Sequence, residues 1–361
     1  MNTTARTAIL ALGCVALTAC SGPGYRLGTV SQQVNNQVER SDAGDRDQSL
    51  PDSGYLRTPD GVRLYYRSRG TGRPVLVVHG GPGFPPTDTW PAADALADRY
   101  RFIYYHQRGS GLSDRPIDRF ASTGWRNNLP LLTDALGIQA QIADIEHLRA
   151  AIGVERITLV GHSYGGFIAS LYAAEFPGRV ERLVLIAPAS VVRMPNDETN
   201  LFSRIAEALP PNQLPAFDAW LERSFDYRRL WQQTESELSE TNNGLAPFFY
   251  HAISHAAQAT GVEPWGQPTD YDPALTGGWI QPAIYLSLGR RYDLRPALAA
   301  IQAETHVFVG DSDLASGPES VADYVETIPD ARLTVLRGAG HSPQYDARQF
   351  AAQLAAALGR R

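Results

Sequence analysis

Residues 161–166 read Gly-His-Ser-Tyr-Gly-Gly, directly after the apolar run Ile157–Val160 and ahead of a helical pattern over Tyr164–Phe176. A Gly-x-Ser-x-Gly pentapeptide between a strand and a helix constrains this chain more than any other stretch. It requires a strained turn at the end of a buried strand, with Ser163 lifted clear of the sheet. Gly161 and Gly165 are needed because backbones at such a turn approach too closely for a Cβ. A hydroxyl presented this way becomes a nucleophile only if a base takes its proton and donors hold an oxyanion.

Three further loops supply those groups, each after a strand-like apolar run. His79-Gly80-Gly81-Pro82-Gly83 follows Val75–Val78. It predicts an oxyanion hole made by the N–H groups of Gly81 and Tyr164. Val307–Gly310 leads into Asp311-Ser312-Asp313. A carboxylate here can accept the Nδ1–H of a histidine and fix its tautomer. The Gly-x-x-Asp spacing favours Asp313 over Asp311, because it carries the acid beyond the strand end. Leu333–Leu336 leads into Gly338-Ala339-Gly340-His341, and His341 is the candidate general base. The chain order Ser163, Asp313, His341 is that of the α/β-hydrolases.

The constellation resembles the α/β-hydrolase fold and, within it, the proline iminopeptidase (prolyl aminopeptidase) group of serine peptidases. Three segments carry the narrower likeness: His79–Gly83, Gln107-Arg108-Gly109-Ser110-Gly111-Leu112-Ser113, and Ala143-Asp144-Ile145-Glu146-His147-Leu148-Arg149. With the elbow and the Asp313 and His341 loops, the likeness spans Tyr55 to Gly359. It implies an acyl-enzyme mechanism that releases an N-terminal proline, or a similar residue, from short peptides. The alternative is a carboxylesterase or lactonase with the same three groups. The family usually has Asp-Gln-Arg-Gly where this chain has His106-Gln107-Arg108-Gly109. An aminopeptidase of this kind must also capture a free amine with carboxylates; Glu222 and Glu240 are the candidates taken from Glu222, Glu235, Glu237 and Glu240. A reading of another class, an inactive surface lipoprotein used for binding, runs against the presence of all three reactive groups.

The fold expectation also stands on pattern alone. Strands at Val75–His79, Phe102–His106, Ile157–Val160, Leu183–Ile186, His306–Gly310 and Leu333–Leu336 alternate with helices at Asp88–Arg99, Asp134–Ile152, Tyr164–Phe176, Pro318–Ile328 and Asp346–Leu358. A hairpin, Tyr55–Thr58 and Val62–Tyr66, precedes them. Such alternation predicts a mostly parallel sheet flanked by helices, with ligands beyond the C-terminal strand ends. Gly81, Ser163, Asp313 and His341 all fall there. The core is expected over 51–189 and 297–361, with a mainly helical cap inserted over 190–296, rich in proline and aromatic residues.

The start of the chain reads as a targeting segment. Arg6 precedes the apolar stretch Ala8–Leu17, which ends in Leu17-Thr18-Ala19-Cys20. This resembles a bacterial lipobox: residues 1–19 would be cleaved, Cys20 lipidated, and residues 20–50 left as a polar tether. The expected location is the cell envelope, with Ser21 pointing to the outer membrane. The only other cysteine, Cys14, lies in the cleaved part, so neither a disulfide nor a Cys-based metal site is expected. His251 and His255 are four apart but lack a third ligand, so no metal is expected, and no cofactor motif is present. With 43% hydrophobic and 19% charged residues, a net charge of −6 and no basic block, the chain suits a globular domain that does not bind nucleic acid.

Overall fold

The computed structural model describes residues 26–28, 30, 31, 34, 50–194, 201–260, 265, 266, 272–289 and 291–359, with the side chains of 254–260 left aside. Cys20 and the expected signal segment lie outside these residues, as does most of 35–50.

Among the described residues there are ten strands: β1 (Ser53–Arg57), β2 (Arg63–Arg69), β3 (Arg73–Val78), β4 (Tyr100–Tyr105), β5 (Ile157–His162), β6 (Val180–Ile186), β7 (Arg193–Met194), β8 (Tyr292–Asp293), β9 (Glu304–Gly310) and β10 (Ala331–Leu336). Eight of them form one sheet in the order β1-β2-β4-β3-β5-β6-β9-β10. The pairs β1–β2 and β2–β4 are antiparallel, and every pair from β4 onward is parallel. The central strands are buried on both faces. Val75–Val78, Leu159, Val160, Leu183–Ile186 and Val307–Val309 are all closed to solvent, as a sheet covered by helices on both sides requires.

Several expected elements take a different form. The helix expected over Asp134–Ile152 is two helices, Trp125–Leu136 and Ile138–Ile152, broken at Gly137, whose extended backbone (φ −70°, ψ 179°) cannot continue either one. The helix expected over Asp88–Arg99 shrinks to the turn Pro91–Asp94, started by proline at its first position. The Pro318–Ile328 helix divides into a 3₁₀ turn, Pro318–Val321, and the short helix Ala322–Thr327.

The helical insertion contains Leu201–Ala208, Leu214–Ser224, Glu235–Asn243, Ala246–Thr260 and Ile280–Leu288. Its two ends meet in a two-stranded ribbon, where Arg193 pairs with Asp293 and Met194 with Tyr292. It has its own apolar clusters. Ile205, Phe217, Trp220 and Leu221 form one, while Trp231, Leu238 and Trp279 pack on Leu129, Leu132 and Leu136 of the Trp125–Leu136 helix. The latter helix therefore belongs to the floor on which the insertion rests.

Part of the segment expected to be a free tether is packed. The N–H groups of Gly28, Val30 and Ser31 donate to the Glu175 carboxylate, at 2.5, 2.6 and 3.3 Å. Val30 and Val34 are buried in the main core. A polar composition concealed two valines four residues apart, and Glu175 is the anion that satisfies the N–H groups at the start of this turn.

Candidate active site

The strand-to-helix turn has the geometry that the glycines imply. Ser163 sits at φ 54°, ψ −124°, a strained conformation for a residue with a Cβ. Its N–H donates to Ile186 O at 2.9 Å, and its carbonyl accepts from Gly166 and Ala189, so both neighbouring elements hold the turn. A Cβ on Gly161 would lie 2.5 Å from Gly165 O, and one on Gly165 would collide with the carbonyls of Val78 and His79. The helix Tyr164–Glu175 that follows is buried on every side.

His341 Nδ1 lies 3.0 and 2.9 Å from the two carboxylate oxygens of Asp313. The acid is buried, and its Oδ1 also accepts from the N–H groups of Ala315 and Ser316 at 2.8 and 3.0 Å. Burial alone would raise its pKa. The His341 ring and the donated hydrogen bonds outweigh burial and hold the carboxyl below its ordinary value. Asp313 therefore stays charged, and the proton of His341 belongs on Nδ1, leaving Nε2 as the acceptor. Asp311 points elsewhere: its Oδ1 accepts from Gly338 N–H at 2.7 Å and ties the β9 loop to the β10 loop. Among the described residues Ser163 Oγ and His341 Nε2 make no hydrogen bond to each other. Such contacts are often long in a site without substrate.

Gly80 packs directly on the elbow, since a Cβ there would lie 3.1 Å from Ser163 Cβ. The N–H groups of Gly81 and Tyr164 make no hydrogen bond with other protein groups among the described residues. The loop bearing Gly81 is held by Gln107. Its N–H donates to His79 Nε2 at 3.0 Å, its Nε2 donates to His79 O at 2.8 Å, and its Oε1 accepts from Gly83 N–H at 3.4 Å. His79 Nδ1–H is in turn directed at Gly80 O. In the sequence Gln107 stands out only as part of a motif, and nothing local reports this bracing role.

Two of the segments that carry the family likeness meet in the core. Arg108 forms a bidentate pair with Asp144, at 2.7 and 2.6 Å, and also reaches Asp60 at 2.8 Å. His106 serves as a hydrogen-bond acceptor. Its Nδ1 accepts from Leu112 N–H at 2.9 Å and closes the Gln107–Ser113 loop. Burial, with Arg67 nearby, lowers its pKa to about 4, so the ring is neutral and available as an acceptor.

The insertion brings Phe249 edge-on to the His341 ring, with centroids 6.3 Å apart. Glu222 and Glu240 both lie on exposed helix faces. Glu235, like Asp218, is a buried carboxylate of the insertion; its oxygens are taken by Gly278 N–H, Trp279 N–H and Arg115, at 2.7, 2.8 and 3.3 Å. His251 Nδ1 faces Gln213 Nε2 at 3.4 Å, and the His255 side chain lies outside the described residues. Among the described residues, no group of three His, Cys, Asp or Glu is arranged to hold a metal ion.

The alpha/beta hydrolase fold family matches residues 73–347, and the chain belongs to that family. It is 34% identical over 146 residues to a cis-3-alkyl-4-alkyloxetan-2-one decarboxylase of Shewanella oneidensis, covering 39% of this chain and 40% of that one. It is 35% identical over 136 residues to a proline iminopeptidase of Xylella fastidiosa, covering 37% and 39%. The matched segment thus spans about two-fifths of the length of these curated relatives. The crystal structure of VinJ superposes with a TM-score of 0.59 at 20% identity, covering 84% of this chain and 96% of that one, which is a likeness of fold.

Proposed function

We propose that this chain is a serine hydrolase that cleaves acyl bonds through an acyl-enzyme. One observation carries the reading: beyond β9 and β10 the Asp313 carboxylate grips Nδ1 of His341, while the end of β5, separated from β9 by β6 alone, carries Ser163 on a strained turn. In the proposed reaction His341 Nε2 takes the Ser163 proton as Oγ attacks the carbonyl. Asp313 stabilises the imidazolium that forms. The N–H groups of Gly81 and Tyr164 receive the oxyanion, and removal of one such donor costs on the order of 10²–10³-fold in rate. His341 then protonates the leaving group, and water, deprotonated by the same Nε2, releases the acyl product.

The first substrate reading is a short peptide with a free N-terminus, and the product is proline or a similar residue. The three sequence segments and the iminopeptidase relative support this. The second reading, a small-ester hydrolase, is favoured by the described carboxylates of the insertion. Of the candidates weighed, Glu222 and Glu240 face solvent, and Glu235 is engaged by Gly278, Trp279 and Arg115, so none of these three is placed to hold an amine. Proline 4-nitroanilide and 4-nitrophenyl acetate separate the two, with Ser163→Ala as the blank. Anilide release lost in the variant supports the peptidase; ester turnover without anilide release supports the esterase; neither reaction removes the hydrolase reading. Lipidation at Cys20 belongs to the same proposal and attaches the enzyme to the bacterial outer membrane. Metabolic labelling with a palmitate analogue, lost in Cys20→Ala, tests it.

A further inference from the structure

The backbone around His341 is held from outside its own loop. Gly340 N–H, just before it, donates to Trp265 O at 2.7 Å, and Ser342 N–H, just after it, donates to Gly266 O at 2.8 Å. Trp265 N–H returns a bond to Gly338 O at 3.1 Å, and its indole N–H reaches Arg337 O at 2.9 Å. Trp265 and Ala339 thereby form an isolated parallel bridge. This piece of the insertion acts as an added strand on the histidine loop. The carbonyl of His341 itself faces His162 Nε2 at 2.9 Å. A carbonyl only accepts, so the His162 proton is on Nε2. Ser342 Oγ stands at 3.5 Å from the same nitrogen. The His162 ring is fixed edge-on by Trp90, with centroids 6.1 Å apart, and lies 4.9 Å from the His341 ring.

We infer that His162 and the Trp265-Gly266 segment are positioning elements for the general base, so that the insertion takes part in aligning His341 as well as in covering the site. Three backbone groups at residues 340–342, the Gly340 N–H, the His341 carbonyl and the Ser342 N–H, are each bonded to a partner outside the loop. One partner is the residue beside the nucleophile, so the elbow and the base share a connection that does not pass through the reacting atoms. The other two belong to the insertion, so a shift of that segment moves His341 relative to Ser163. Gly266 has φ +71°, and a Cβ there would lie 2.6 Å from Pro343 Cα. The segment can approach the loop only as glycine.

The inference rests on the serine-hydrolase reading, and the test separates the two. The second-order rate of labelling by a fluorophosphonate is measured for the full chain, Ser163→Ala, His162→Leu, His162→Gln and Gly266→Ala. Thermal melting is followed alongside, and kcat and KM are measured on the reporter that is turned over. Absence of labelling in the wild type overturns the hydrolase reading, and the inference with it. With the wild type labelled, His162→Leu is expected to lose about 10²-fold in labelling and kcat with KM unchanged, the scale of a roughly 1 Å misplacement. His162→Gln, which keeps an N–H at the same reach, is expected to recover most of that loss. Gly266→Ala tests the clamp from the other side without touching the elbow, and is expected to lose rate while the core still melts cooperatively. A folded His162→Leu or Gly266→Ala labelled at the wild-type rate overturns the inference, as does a Gln variant no faster than Leu.

Discussion

At the scale of single residues, the account turns on which groups are held charged and which neutral. Asp313 is charged because His341 and two backbone N–H groups overcome its burial. Asp313→Asn keeps the shape but presents the wrong tautomer of His341, and is predicted to lower kcat by on the order of 10⁴-fold with little change in melting temperature; a variant within tenfold of the wild type contradicts this. Three histidines beside the site are neutral. Burial lowers His79 and His162 to about 3 and His106 to about 4, against 6.5 for a free imidazole. Between those values the unfolded chain binds protons that the folded chain refuses. The stability they contribute is therefore complete above about pH 6.5 and is lost as pH falls toward 3 to 4. Thermal melts should be level from pH 8 to about 6.5 and decline from there to pH 4, less steeply in His106→Gln; a profile flat throughout argues against neutral buried rings. Spacing favours Asp313 over Asp311, and the two side chains face different partners, Asp313 the His341 ring and Asp311 the Gly338 N–H. The insertion's carboxylates are not legible. Glu222, Glu235 and Glu240 differ only in which helix face they occupy, and that is decided by tertiary packing.

Among the elements, the elbow is readable because one short motif dictates both the backbone and its neighbours: Gly161 and Gly165 leave no room for any other residue. The break within Asp134–Ile152 is not, because Gly137 looks like an interior glycine, while Trp125–Leu136, with Pro130 inside it, does not read as a helix by propensity. The docked turn near Val30 is hidden for a different reason. Its stability comes from Glu175, nearly 150 positions away, and no local pattern reports that. Glu175→Ala leaves three N–H groups without their anion. It is predicted to cost about 1–3 kcal/mol of stability and to open residues 26–34 to limited proteolysis. Unchanged cleavage and melting temperature would show that the turn is not anchored this way.

For the whole molecule, sequence pattern specifies the parallel sheet, the insertion and the convergence of four loops at the strand ends. What joins those loops is beyond it, since the connections run between segments far apart in the chain. The Arg108–Asp144 pair welds two of the motifs together, and both side chains are almost wholly enclosed. Removing one partner strands the other, so Asp144→Ala is predicted to cost about 3–5 kcal/mol, read as a drop in urea midpoint; a loss under about 1 kcal/mol contradicts a buried ionic link. The central claim is that this assembly exists to make Ser163 reactive. The most direct test is peptide mapping by mass spectrometry after brief exposure of the full chain to a fluorophosphonate. The account predicts a single stoichiometric adduct on the peptide bearing Ser163, absent from His341→Ala. No adduct, or one on another residue, would contradict it.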